Sequence, residues 1–319
     1  MTPRAGKQSP GRTQVAVIGY GSQGRAIALN LRDSGYPVTV GLRSRSRSRR
    51  LAKKDGIESV TTISPAVREA DIIAFAFPDH LHSRVWIRDI LPHLKDHATL
   101  WFLHGLSVHF GFVAPPDSCD VILVAPHAPG KAVRDRFLAE RDVSGFYAVH
   151  QDRSRRARTN AFTLADAIGI AQKRLIKTTF AEEAIGDLFG EQAVLCGGLA
   201  MLIKTGFDVL VEKGHDPNRA YLEVAYQLDL IIDLIKRFGI EGMFARISVA
   251  ARYGSLEAGP ALIDKTTRKR MERLYDRIAS GRFARELETL DDDALARLNE
   301  QLQSLSSPAL EKAAKKFGR

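Results

Sequence analysis

Cysteine is nearly absent: Cys119 and Cys196 are the two in 319 residues, and neither stands in a CxxC pair. That excludes a disulfide framework and a zinc knuckle, and it points to a reducing compartment. Aromatic residues are sparse at 8%, and none interleaves with the basic clusters at Arg43 to Lys54, Arg153 to Arg158 or Lys265 to Arg273. The formal net charge of +10 therefore lacks the stacking platforms of a nucleic-acid surface, and no nucleic-acid partner is expected. Apolar runs such as Asp71 to Phe77 fall well short of the ~20 residues that cross a bilayer, and no signal-type apolar core stands near Met1. The expectation is a soluble, cytoplasmic protein with no membrane partner.

What the chain does have is length and alternation. It exceeds the usual size of a single core, so two domains are expected. A hydrophobic share of 45% and a charged share of 26% fit ordinary globular packing. Residues 1–12 are polar, basic and rich in Pro and Gly, the composition of a disordered basic tail. Up to about residue 180, short β-type runs (Val15–Ile18, Val38–Val40, Ile72–Phe77, Thr99–Phe102, Val121–Val124) alternate with helical patterns such as Gln23–Ser34. Strands spaced by helices predict a parallel, doubly wound α/β sheet. After Lys177 amphipathic helical periods take over. They cover Glu183–Glu212, bent around Gly197-Gly198, then a helix capped by Asp216 with Pro217 in its first turn and ended by Gly239. Gly242–Tyr253, Lys265–Ser280 and Asp293–Leu305 follow. The domains are thus 13–180, a doubly wound α/β domain, and 181–319, all-helical.

Between the first strand and the first helix lies Gly19-Tyr20-Gly21-Ser22-Gln23-Gly24, a GxGxxG turn in the setting that a Rossmann dinucleotide site requires. The first glycine permits the turn, the second lets backbone approach a pyrophosphate, and the third lets helix pack on strand. At the end of the second strand an NAD-binding chain offers Asp or Glu to the ribose. This one offers Arg43, Ser46 and Ser48, donors suited to the 2′-phosphate of NADP(H). A solvated basic loop is the competing reading.

Asp187 and Glu191 are four apart, so a helix places two hard oxygen ligands on one face, suited to Mg²⁺ at a cavity or equally to a solvated face. Glu223 and Gln227 repeat the spacing, and Glu223 sits amid apolar neighbours where it needs a partner. His104 follows the apolar strand Thr99–Leu103, at the end where doubly wound sheets bind ligands. It suits a ring facing the nicotinamide or a structural histidine equally. His127 and Lys131 follow the next strand with the same ambiguity.

These pieces, in this order, resemble ketol-acid reductoisomerase in its short, class I form. The resemblance runs through Gly19–Gly24, Val40-Gly41-Leu42-Arg43, His104-Gly105, Thr178-Thr179-Phe180 and above all the specific run Asp187–Gly198, and fades after about Glu286. It implies a helical, knotted second domain for metal, substrate and dimerisation, a homodimer or higher homo-oligomer with sites between subunits, and a small keto or ketol acid substrate. The reaction implied is Mg²⁺-assisted alkyl migration in 2-acetolactate or its homologue, followed by NADPH reduction, a step of branched-chain amino acid biosynthesis. By position, Tyr20 to Gln23, Arg43, Ser46, Ser48, Asp79 and Gly130 match cofactor contacts. His104 matches the catalytic histidine, and Ser248 the residue binding the substrate carboxylate. Asp187 matches the ligand bridging two metals, Glu191 a ligand of one, and Glu223 a ligand of the other.

Three positions depart from the family. Its active-site lysine is His127 here, its fourth metal-site carboxylate is Gln227, and its Asn-Thr-Ala-Glu run is Val249-Ala250-Ala251-Arg252. A neutral amide in place of a carboxylate weakens the second metal site, and a protonated His127 could replace the lost cation in part. Beside the orthodox enzyme, the residues leave two further readings: a diverged paralogue that only reduces a different 2-keto or ketol acid, and a non-catalytic NADP-binding protein.

Overall fold

The computed structural model describes residues 13–317; the tail expected at 1–12 lies outside the described residues. The chain divides into two compact units, one of residues 13–186 joined by Ala284–Thr289, the other of Asp187–Phe283 and 290–317.

The first unit is built from β1 (Val15–Ile18), α1 (Ser22–Asp33), β2 (Val38–Gly41), α2 (Ser48–Lys54), β3 (Ser59–Thr61), α3 (Ile63–Glu69), β4 (Ile72–Phe75), α4 (His82–Val85), β5 (Thr99–Phe102), α5 (Leu106–His109), β6 (Asp120–Pro126), α6 (Gly130–Leu138), β7 (Val143–Gln151), α7 (Ala157–Ala167) and β8 (Ile170–Lys177). The strands form one sheet in the order β3-β2-β1-β4-β5-β6-β7-β8. β3 through β6 pair in parallel, so the turns after β1, β2, β4, β5 and β6 all leave from one carboxyl edge. The expectation of a wholly parallel sheet is corrected at its far side, where β7 runs antiparallel to β6 and β8 parallel to β7. The connection through α6, which packs against α1, returns the chain to the carboxyl edge, so β7 enters the sheet from that edge and runs antiparallel to β6.

Period-two alternation sorts the strands' side chains to two cores. Val15, Val17, Ile72, Ala74, Trp101, Ile122 and Val124 face one side with α1 and α7, whereas Ala16, Ile18, Ile73, Phe75, Leu100, Phe102 and Leu123 face the other with α3. Both faces are covered, which is why these strands read as continuous apolar runs. The β8 edge carries exposed Lys173 and Arg174, charges that discourage further strand pairing.

The chain leaves the sheet through α8 (Phe180–Gly190), whose first turn is capped by Thr179 Oγ1 accepting from Glu182 N at 3.0 Å. The second unit continues with α9 (Gly197–Glu212), α10 (Pro217–Tyr221), α11 (Leu228–Phe244), α12 (Val249–Leu262), α13 (Lys265–Ala279), α14 (Arg282–Glu288), which belongs in part to the first unit, α15 (Asp292–Leu305) and α16 (Pro308–Phe317). The bend expected at Gly197-Gly198 is a π-turn just before them, over Glu191–Leu195. Its wider winding brings the carbonyls of Gln192 and Ala193 to 2.3 and 2.1 Å from where a Cβ would stand on Gly197 and Gly198. Asp216 caps α10 as expected. Gly239, at φ 72°, breaks α11 internally. The single helix expected over Gly242–Tyr253 is instead divided, because Ser248 Oγ accepts from Ala251 N at 3.1 Å and starts α12.

One expectation about apolar runs is corrected. Phe180–Glu212 forms a helical stretch of 33 residues that is long and apolar enough, by length and composition, to cross a membrane, and 6% of its apolar window is buried within the chain. Cys119 and Cys196 are both free thiols.

The turn before α6 docks on the glycine turn: a Cβ on Gly130 would lie 2.0 Å from Ser22 O and 2.8 Å from Gln23 N. Gly130→Ala is therefore expected to cost about 1–3 kcal/mol by overpacking and to loosen dinucleotide binding. Denaturant unfolding and an NADPH titration check this; unchanged values in both would contradict the docking.

Candidate active site

The glycine turn is fixed by contacts that admit no side chain. Gly19 sits at φ 102°, where an added Cβ would meet Ala76 O at 2.3 Å, and a Cβ on Gly24 would meet Gly19 O at 2.7 Å. Gly21 is different, with nothing within 4 Å of its would-be Cβ. Space is therefore open beside the turn where a pyrophosphate would approach. No side chain caps α1, so its first amides face that space with the helix's positive end. Gln23 Nε2 donates to Ala128 O at 2.8 Å, while its Oε1 is buried without a hydrogen-bond partner. An orphaned acceptor and an open backbone at one turn fit a polar ligand of the dinucleotide kind.

Beyond β2, the guanidinium of Arg49 donates to the carbonyls of Arg43 (3.1 Å) and Leu42 (3.2 Å). The loop backbone is thereby pinned while the Arg43 side chain stays exposed. Ser48 N donates to Ser46 Oγ at 3.3 Å, bringing the two serines together. Tyr20 points inward: its hydroxyl donates to Asp55 Oδ2 at 3.0 Å, and Arg25 grips the same carboxylate at 2.7 and 2.8 Å. Burial, then Asp55, raises the Tyr20 hydroxyl pKa, so the phenol stays protonated and ties the turn to the end of α2.

His104 is oriented by a residue that the sequence reading passed over. Glu183 is buried at 5% exposure, and its Oε2 receives the Gly105 N–H at 2.5 Å and lies 3.0 Å from His104 Nδ1. An ionised carboxylate only accepts, so Nδ1 carries the proton toward Glu183, and exchange chemistry at the ring belongs to Nε2. Gly105 is required here: a Cβ would stand 2.3 Å from Phe180 O and 3.0 Å from Glu183 Oε2. The signal in the sequence was slight, a Glu beside Ala184 and one turn before Leu188, where burial calls for a partner.

Asp79, after β4, lies 3.9 Å from Nδ1 of the buried His82. His82 Nδ1 meets Ser107 Oγ at 2.6 Å, and its Nε2 meets Phe77 O at 3.0 Å. Burial lowers its pKa against the pull of Asp79. His127 packs edge-on against Phe146 at 4.1 Å. Burial lowers its pKa too, with Glu183 pulling the other way, so at neutral pH His127 is not the fixed cation considered from the sequence. Lys131 pairs with Asp135 at the surface.

In the second unit Asp187, Glu191, Glu223, Gln227 and Ser248 are all exposed. Gln227 Nε2 stands 3.2 Å from Leu222 O and 3.5 Å from Glu223 Oε2. Glu223 thus needs no buried partner, contrary to the expectation from its apolar neighbours, because the π-segment Leu222–Tyr226 presents it outward. The oxygens are of the hard type Mg²⁺ takes. Among the described residues of one chain, no three His, Cys, Asp or Glu side chains gather into a metal site.

Two expectations follow. Glu183→Gln keeps an acceptor for Gly105 N–H but removes the anion behind His104, and should lower kcat about 10–100-fold with NADPH affinity unchanged; an unchanged kcat would show that the ring needs no anion. Because His82 and His127 have lowered pKa values in the fold, the unfolded chain binds protons first as pH falls below the ordinary histidine value of about 6.5. Stability therefore falls on acidification through that window and levels off below the native pKa values. Asp55, lowered mainly by Arg25, loses its contribution only at more acidic pH. Urea midpoints at pH 7 and pH 5 check this, and His82→Gln should flatten the difference.

Both halves of the chain are similar to known proteins. Residues 11–173 match the family model described as acetohydroxy acid isomeroreductase, NADPH-binding domain, and residues 180–318 match the ketol-acid reductoisomerase C-terminal domain, which continues past Glu286 where the sequence resemblance fades. A ketol-acid reductoisomerase (NADP(+)) of Pyrobaculum islandicum is 50% identical over 85% of this chain and 82% of its own length. One of Xanthomonas axonopodis pv. citri is 44% identical over 95% and 91%. A solved NADH-preferring ketol-acid reductoisomerase from an uncultured archean superposes with TM-score 0.90 and 34% identity, covering 96% of this chain and 93% of that one. A pyrroline-5-carboxylate reductase from Coxiella burnetii, at TM-score 0.56 and 16% identity, shares the fold alone. With both halves of the chain matched in order, this protein belongs to the ketol-acid reductoisomerase family.

Proposed function

We propose that the chain turns a 2-hydroxy-3-keto acid of the acetolactate type into a 2,3-dihydroxy acid, by Mg²⁺-assisted alkyl migration and NADPH-dependent reduction. The bond from C2 to the migrating alkyl group breaks as the bond to C3 forms, the C2 hydroxyl giving up its proton to become a carbonyl and the C3 oxygen taking up a proton; a hydride then adds to the new C2 carbonyl and a proton to its oxygen. Bound NADPH supplies the hydride, and bound Mg²⁺ supplies Lewis-acid polarisation of the substrate oxygens. The observation that carries the reading is the Glu183-backed His104 on the same carboxyl edge as the glycine turn.

In this reading Gly19, Tyr20, Gly21, Ser22, Gln23 and Gly24 cradle the pyrophosphate. Arg43, Ser46 and Ser48 bind the 2′-phosphate, while Asp79 and Gly130 border the cofactor. His104 moves a proton at Nε2, and His127 stands at the turn after β6 as a neutral ring. Asp187, Glu191, Glu223 and the Gln227 amide offer oxygens to the metal, and Ser248 takes the substrate carboxylate. Residues 13–180 form the NADP-binding domain and 181–319 the metal, substrate and dimerisation domain.

The protein is further read as a soluble, cytoplasmic homodimer with sites shared between chains. Leu195, Leu202, Leu230, Ile240, Val249 and Leu256 each expose more than half their surface in the single chain, an apolar extent that a second copy would cover. Light scattering should give twice the 35.2 kDa chain mass without detergent; a monomer, or a requirement for detergent, would overturn this part.

The deciding assay follows NADPH oxidation in parallel on 2-acetolactate and on 3-hydroxy-3-methyl-2-oxobutanoate, which needs reduction alone. Turnover of both with Mg²⁺ is expected. Turnover of the second alone would mean that migration is lost, and Gln227→Glu with His127→Lys should then restore it. Tight NADPH binding with neither turned over would leave a non-catalytic binder.

A further inference from the structure

His82 is 3% exposed and belongs to none of the groups assigned above. Its ring is held at both nitrogens. Phe77 O can only accept, so Nε2, 3.0 Å away, carries the proton. Nδ1 then accepts from the Ser107 hydroxyl at 2.6 Å, and Ser107 is itself fully buried. The rings of Phe77 and Phe75 lie 4.4 and 5.5 Å from it.

The two partners belong to two different turns of the site. Phe77 follows Ala76, whose carbonyl is pressed against Gly19 of the glycine turn, and Asp79 comes two residues later. Ser107 comes two residues after Gly105, whose N–H shares Glu183 with His104. A continuous physical path thus runs from Gly19 through Ala76, Phe77, His82, Ser107 and Gly105 to His104, and His82 is its one side-chain bridge at both ends. An apolar ring of the same size would fill the space without the cost of desolvating an imidazole. The ladder between β4 and β5 ends at Phe75 and Phe102, and beyond it a group that donates on one side and accepts on the other ties the two turns together.

We propose that His82 is a positioning residue, which sets the register of the His104 turn against the dinucleotide turn so that ring and nicotinamide address one substrate. The inference rests on the reading of both turns given above. Asp79, His80 and His104 are the titratable groups facing His82, and the Ser107 hydroxyl keeps Nδ1 as an acceptor among them.

Full-length His82→Leu, Ser107→Ala, the double variant and His82→Gln test it, by kcat and KM, NADPH affinity and the ring resonances of His104 in ¹⁵N-histidine-labelled protein. His82→Leu and Ser107→Ala should each lower kcat about 10–100-fold with smaller changes in KM and NADPH affinity, and should shift the His104 resonances. The double variant should be no worse than the more impaired single one, since both cut one path. Glutamine can donate to Phe77 O and accept from Ser107, so His82→Gln should restore both rate and resonances. Variants that lose melting temperature but keep kcat per folded molecule and the His104 resonances would overturn the proposal, as would His82→Gln being as impaired as His82→Leu. Should the unaltered protein turn over no ketol acid, the functional reading fails by itself. The His104 resonances then decide the positioning role, and their staying in place in Ser107→Ala would refute it.

Discussion

The carboxylate of Glu183 reaches across 79 residues of sequence to hold the His104 ring and the Gly105 amide on a single oxygen. That contact joins the start of α8 to the carboxyl edge of the sheet, and the placing of the His104 turn depends on it. It works because each neighbour has given up something. Gly105 has no side chain to strike Phe180 O, Thr179 caps the helix so that its first turn is formed, and a negative group at a helix N-terminus is itself favoured. Around this contact the parallel strands β1, β2, β4, β5 and β6 deliver five turns to one edge.

The parts of the fold visible in the sequence were those with local causes. A strand, three glycines and a helix needed no distant partner to be read, nor did the basic turn after β2, nor the Asp216-Pro217 start of α10. β3, β7 and β8 were not resolved by pattern. β8 carries Lys173 and Arg174 on an exposed edge, and β7 alternates loosely because one end is solvated. The roles of Glu183 and His82 were hidden for a different reason, since each depends on a contact made only once the sheet is assembled. The Gly197-Gly198 pair was seen as a bend, but the π-turn behind it arises from how carbonyls stack within the helix, which apolar spacing does not encode.

The second unit poses the opposite problem, because its helices were legible and their surroundings were not. The amphipathic periods place the helices, yet many of their apolar side chains face outward in the single chain. Asp187, Glu191 and Glu223 are likewise exposed. Large apolar exposure beside carboxylates is what a shared interface presents in one isolated subunit, and the proposed dimer answers both features with one cause. Of the departures from the family pattern, Gln227 lies in this unit and His127 at the turn after β6 in the first.

Coupling of alkyl migration to hydride transfer is the chemistry on which the proposed roles converge. The most direct measurement is the fate of label from NADPH deuterated at the transferable C4 position, with 2-acetolactate and Mg²⁺. The expected product is 2,3-dihydroxy-3-methylbutanoate carrying deuterium at C2, the carbon that becomes a ketone only after the methyl group has moved. Deuterium at C3 of unrearranged 2,3-dihydroxy-2-methylbutanoate, or no transfer of label at all, would contradict it.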